Sequence, residues 1–168
     1  LVNPAFTDQV VSFTSRGITE ATQGKPDLSA PGNTILSAGM GTGNKGLNDS
    51  GTSMAAPHVA GLAALVVEAH KGWSAERVKA ALMNTATQDV YAGPGQTGPI
   101  EGPERVGAGR VVADAAVTQQ VLAFNADNRG AVGVSFGEVE VVRSASVHKT
   151  VKVENLSDSW ARYKVGYQ

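Results

Sequence analysis

The stretch that most constrains this chain is "SMAAPHVAGLAALVVEAH", residues 53–70. From Met54 on it is Ala, Val, Leu and Gly almost all round, with Glu68 the only carboxylate and no Lys or Arg. An apolar stripe would describe a surface helix; apolar residues on every face describe a helix buried in the middle of a larger fold. Its longest apolar run, residues 59–69, falls short of the roughly 20 residues that a membrane span needs. Pro57 and His58 just before that run argue the same way. We therefore expect a central core helix from about Thr52 to His70, and other elements packed around it.

The rest of the chain can supply a core. Of its 168 residues, 42% are apolar and 17% charged, a balance that excludes a disordered chain. That length fits one domain, or one domain and a fragment of another. Fourteen basic against fifteen acidic residues leave a net charge of −1, with no Lys/Arg cluster. No nucleic-acid or anionic-membrane partner is expected from such a balance. There is no cysteine, hence no disulfide framework and no thiolate metal site. Residue 1 is Leu, no signal peptide opens the sequence, and both ends read as mid-protein sequence.

Before the apolar helix, the first fifty residues are rich in Gly, Ser, Thr, Asn and Pro, with strand candidates at residues 10–14 and 34–38, the second after a Pro31-Gly32 turn. After it, "WSAERVKAALMNTA" predicts a helix capped by Ser74, with Val78, Ala81 and Leu82 at helical spacing, running to about Thr85. "YAGPGQTGPIEGPE" reads as a Gly/Pro loop, and "GAGRVVADAAVTQQV" as a shorter helix from about Val111. Past Leu122 the segments "VGVSFGEVEVV", "VHKTVKVENLS" and "ARYKVGYQ" alternate apolar and polar residues, the pattern of antiparallel strands. Three strands are too few for an independent sandwich.

The chemistry centres on Gly51-Thr52-Ser53, where the apolar helix begins. A serine hydroxyl becomes a nucleophile only when a base takes its proton, and the oxyanion it creates needs donors. A helix start supplies such donors, because its first N–H groups have no intrahelical acceptor and sit at the positive end of the dipole. The N–H of Ser53 itself fits that role. Pro57 is tolerable if its missing N–H falls at or near those unpaired first-turn groups.

The segment "GTSMAAPHVAG" resembles at every position the nucleophile signature of subtilisin-like serine proteases. Other segments are similar to this family in the same order: "SFTSRG" before the nucleophile, "KPDLSAPG" in place of its Pro-Asp-x-x-Ala-Pro-Gly element, and "WSAERVKAALMNTA" and "GAGRVVADAAV" in place of its following helices. The resemblance covers about residues 10–120. It implies an α/β fold, the C-terminal part of a doubly wound parallel-sheet peptidase domain over residues 1–122, with residues 1–9 as the exit from an inserted protease-associated domain. Residues 123–168 resemble the start of a fibronectin type III-like domain, antiparallel strands of an incomplete sandwich.

By the same resemblance the activity is that of a serine endopeptidase acting on protein or peptide substrates through an acyl-enzyme on Ser53. The location implied is extracellular, secreted or attached to the cell envelope. The family's triad runs Asp, His, Ser along the chain, and no histidine precedes Ser53 here. At about 100° per residue His58 points away from Ser53, and His70 is more than about 20 Å along the same helix. His148 lies in the strand-patterned tail. Asp27 belongs to the "KPDLSAPG" element, with a supporting role, and Asp49 reads as an exposed turn residue. Asn44 and Asn48 do not match the family's oxyanion asparagine. Ser53 is thus the one triad residue in the chain, and the N-terminal portion of the same protein is an expected partner. The chain alone is expected to be inactive. No cofactor or metal ligand loop is recognisable, although the family commonly holds calcium. "NDS" at Asn48 and "NLS" at Asn155 match the glycosylation pattern. The alternatives are a non-catalytic scaffold of the same family and a β-domain adhesion module. The intact Ser53 surroundings weigh against the first, the helical signature against the second.

Overall fold

The computed structural model of the protein describes residues 4–18, 24–128 and 130–166. Its longest element is helix α1 (Thr52–Ala69), followed by α2 (Ala75–Asn84), α3 (Pro103–Val106) and α4 (Ala113–Thr118). Strands form four two-stranded antiparallel pairs: β1 (Gly17–Ile18) with β2 (Gly24–Lys25), β3 (Ile35–Ala38) with β4 (Gly46–Asp49), β5 (Tyr91–Gly93) with β6 (Thr97–Ile100), and β7 (Val121–Asn125) with β8 (Val151–Asn155). Parallel pairing among the described residues is confined to isolated bridges, Gln9 with Tyr91 and Ser29 with Arg110.

Local chemistry explains the helices. Ser74 is extended, and its Oγ accepts the Arg77 N–H at 3.3 Å, so an orphan donor of the first turn of α2 is satisfied. Glu76 adds a favourable charge at that end. Helix α1 stops at His70, whose N–H reaches the Val66 carbonyl at 2.9 Å. The His70 ring stacks on Trp73 with centroids 3.8 Å apart, and its Nε2 bonds the Val117 carbonyl at 2.7 Å, tying the end of α1 to α4.

One core lies between these helices and β7. Leu62 and Val66 of α1 meet Val78, Ala80, Ala81 and Leu82 of α2, Ala116 of α4, Leu122 and Phe124 of β7, and Val132. Each large side chain so buried contributes about 1.5–3 kcal/mol. Helix α1 is covered far less than its composition predicts. Of its residues only Leu62 and Val66 are buried, while Leu65 and Val67 are 57% and 50% exposed. Among the described residues α2 and α4 cover one stripe of α1, Val59 and Ala63 are half-buried beside it, and Leu65 and Val67 face outward, so the enclosure on every side that the composition predicts is not seen within these residues. With 18 residues and a mean hydropathy of 1.3, α1 also reaches the length and composition of a membrane span. Core helices of water-soluble proteins reach them too.

Several other expectations change. Residues 10–14 are not a strand. The ladder-like contact falls earlier, with Tyr91 N–H donating to Asp8 and Val10 N–H to Tyr91, and a turn then closes from Thr14 N–H to the Val11 carbonyl. The segment read as a Gly/Pro loop holds the β5–β6 hairpin and the single turn α3. In the tail, residues 131–150 and 160–166 form no strand. Strand β7 spans residues 122 and 123, and its partner β8 sends Glu154 to Arg77 of α2 at 3.1 Å.

Candidate active site at the start of helix α1

Ser53 is the second residue of α1 and is exposed. It is delivered there by a short path. Strand β4 ends at Asp49, Ser50 follows, and Gly51 stands extended (φ 165°, ψ 163°) as the residue before the helix. The Gly51 carbonyl takes the N–H groups of both Met54 and Ala55, at 3.0 and 3.3 Å. The N–H groups of Thr52 and Ser53 have no acceptor among the described residues, and neither has the Ser53 hydroxyl. Ser53 thus presents a free hydroxyl beside its own free N–H at the positive end of an 18-residue helix.

The path is held by a second turn. Gly51 N–H donates to the Gly32 carbonyl at 2.7 Å. A Cβ on Gly32 would stand 2.7 Å from the Gly51 oxygen and 3.2 Å from the Ala55 Cβ, so only glycine admits this approach. Ser50 Oγ accepts the Thr34 N–H at 2.8 Å and donates to Asn33 Oδ1 at 3.0 Å. Reading the sequence passes over Asn33 and Ser50.

Pro57 is the sixth residue of α1, not one of its first-turn residues. Its missing N–H therefore leaves the Ser53 carbonyl without an intrahelical donor, which corrects the expectation that little is lost. His58 Nδ1 lies 2.8 Å from the Met54 carbonyl, turned along the helix rather than toward Ser53. His70 is held by Val117 and Trp73, and His148 pairs with Ser146 at 3.1 Å. No histidine of the chain is brought to Ser53.

Asp27 is engaged elsewhere. Lys25 reaches its carboxylate at 2.5 Å and Lys79 of α2 at 2.9 Å. Partial burial opposes its ionisation, but the hydrogen bonds and charges of both lysines outweigh that and hold its carboxyl below the usual range. Its backbone carbonyl takes the Ala108 N–H at 3.0 Å. Asp49 Oδ1 accepts the Ser50 N–H at 2.7 Å. No group of three His, Asp or Glu residues that could hold a metal ion occurs among the described residues.

A cleft of about 960 Å³ runs beside the site. Thr52, Ala55, Ala56 and Val59 of α1 line it, together with Pro31 to Ile35, Phe13, Arg105 and Arg110. Ser53 is not among the lining residues, although its neighbour Thr52 is.

A profile of the subtilase family matches residues 3–109, more than half of the chain. The minor extracellular protease Vpr of Bacillus subtilis (strain 168) is 44% identical over 94 residues, 51% of this chain and 11% of that protein. The subtilisin-like protease SBT2.6 of Arabidopsis thaliana is 48% identical over 77 residues, 41% of this chain and 9% of that protein. The CO(2)-response secreted protease of Arabidopsis thaliana is 36% identical over 123 residues, 64% of this chain and 16% of that protein. The chain thus spans between 9% and 16% of the length of these relatives. With the family match running through the Gly51–Ser53 turn and most of the helical core, this chain belongs to the subtilase family.

Proposed function

We propose that this chain carries the nucleophile of a serine endopeptidase, with Ser53 forming the acyl-enzyme and its N–H donating to the oxyanion. The observation that carries the reading is the free hydroxyl and free N–H of Ser53 at the start of α1. The hydroxyl attacks the scissile carbonyl, its proton passes to a base, and the amine leaves as that base returns the proton. The base and its orienting carboxylate come from another region of the same protein, since no histidine of this chain reaches Ser53. That region also completes a doubly wound parallel sheet over the exposed faces of α1, which makes α1 a core helix and not a membrane span. Residues 123–168 begin a fibronectin type III-like domain. Substrates are proteins or peptides, and the names of the relatives from Bacillus subtilis and Arabidopsis thaliana support a secreted location.

By this reading the 168-residue chain alone is inactive. Loss of the serine or the histidine in a subtilisin costs about 10⁶ in turnover. A serine-directed fluorophosphonate probe tests the reading on three samples: the isolated chain, the full-length protein, and the full-length protein with Ser53→Ala. Labelling of the unmodified full-length protein alone is expected. Strong labelling of the isolated chain would reveal a base within it. An unlabelled full-length protein would favour a non-catalytic scaffold.

A further inference from the structure

We propose that Ser50 is a positioning residue for Ser53, acting through a side-chain bridge to the Pro31–Thr34 turn. The inference rests on the reading of Ser53 as nucleophile and adds what aims it. Three residues before Ser53, the Ser50 hydroxyl makes two bonds at once. It accepts the Thr34 N–H at 2.8 Å and donates to Asn33 Oδ1 at 3.0 Å. One residue later Gly51 N–H clasps the Gly32 carbonyl at 2.7 Å. Together these three bonds fix residues 50 and 51 against residues 32–34, and the Gly51 carbonyl in turn anchors the first two bonded amides of α1.

The far side of the bridge carries strain. Thr34 has φ +56°, a left-handed conformation that a β-branched residue rarely adopts. Such strain persists where surrounding contacts over-determine it, and it clusters at functional sites. Here the over-determining contact is the Ser50 hydroxyl on the Thr34 N–H. The Ser50 side chain is exposed, so the bridge adds little to the core. What it limits is the freedom of the short path from strand β4 to Ser53. A nucleophile displaced by a fraction of an ångström loses rate rather than binding.

In the full-length protein, Ser50→Ala should lower kcat on a peptide substrate, and the rate of fluorophosphonate labelling of Ser53, about tenfold, the size of one lost hydrogen bond. KM should stay within about twofold of the unmodified protein, because only transition-state alignment is lost. Ser50→Thr, which keeps the hydroxyl, should restore both rates. Asn33→Ala should reduce them less, and should add little on top of Ser50→Ala if both act through one bridge; it also serves as the readout if Ser50→Ala does not fold. Labelling of Ser50→Ala and Asn33→Ala at the unmodified rate would overturn the positioning role while leaving Ser53 as nucleophile. A rate loss that Ser50→Thr fails to restore, or one that follows a rise in KM, would also overturn it. Absence of labelling at Ser53 in the unmodified protein would overturn the proposal together with the reading beneath it.

Discussion

Helices α1 and α2 are consecutive and share a core, yet they stand in opposite relations to their surroundings. Helix α2 is amphipathic, and four of its apolar residues, Val78, Ala80, Ala81 and Leu82, are buried, with Met83 half-buried beside them. Helix α1 is apolar almost all round, and only Leu62 and Val66 are buried. For α2, composition and packing agree, so its sequence states both its conformation and its partners. For α1, the apolar surface exceeds what the described residues cover. A stretch like this specifies a helix from local sequence alone, whereas its burial depends on which other layers are present.

Substitutions can break or sharpen that contrast. The largest effect should come from Leu82→Ala, which opens a cavity where Leu82 is 4% exposed. Such truncations cost about 2–5 kcal/mol, and denaturant unfolding should show that loss in the isolated chain and in the full-length protein alike. Leu65→Ala should behave differently in the two. In the isolated chain, where Leu65 is 57% exposed, the cost should stay under about 1 kcal/mol. In the full-length protein it should climb to about 2 kcal/mol or more if a further layer covers α1. Equal small losses in both settings would remove the case for that layer.

Smaller effects probe how α2 is fastened. Ser74→Ala removes the cap on the Arg77 N–H and should cost about 1 kcal/mol, with Ser74→Asp retaining most of the stability. Asp27→Asn weakens the link from residues 25–27 to Lys79 of α2, for about 1 kcal/mol or less, since the carboxylate is partly solvated. Its pH dependence has a definite sign. The folded-state pKa of Asp27 lies below its ordinary value of 3.8. The contribution is therefore fully present above about pH 4 and is lost as pH falls through the depressed pKa. Thermal melts of the two proteins should converge as the pH drops below 3.8, and parallel curves there would show that Asp27 is not the group responsible.

Much of this was legible in the residues. The apolar run placed α1 to within a residue at each end, and Ser74 with Val78 and Leu82 placed α2, because caps and 3.6-residue spacing are local properties. The 10–14 segment misled because alternation says which face a residue would show, not whether another strand lies alongside; Tyr91 meets the chain at residues 8–10 instead. The same limit explains the tail, where Val151 to Asn155 pairs with β7 while residues 131–150 form no strand. The β5–β6 hairpin was hidden by its turn residues. Gly95 and Gln96 both have positive φ, and Thr97 Oγ1 bonds the Pro94 carbonyl, an arrangement that composition reads only as a loop. At the site, the position of Ser53 was readable from its motif, whereas the Asn33–Ser50–Thr34 bridge joins residues 16 and 17 apart and needed the fold.

The β7–β8 ladder has a mechanical consequence. Val121 pairs with Asn155, and Leu156 N–H reaches back to the Gln120 carbonyl at 2.8 Å. The chain therefore enters β7 and leaves β8 at the same end of the pair. Tension between the helical core and any point beyond residue 156 would load this ladder as a zipper, not in shear. The rungs would open in succession, beginning at Leu156–Gln120, and the Arg77–Glu154 ion pair further in would be the first reinforcement the opening fork meets. Such a joint yields at low force and recloses readily, so pulling on the tail would peel β8 away while Leu62, Val66 and Leu82 stay packed.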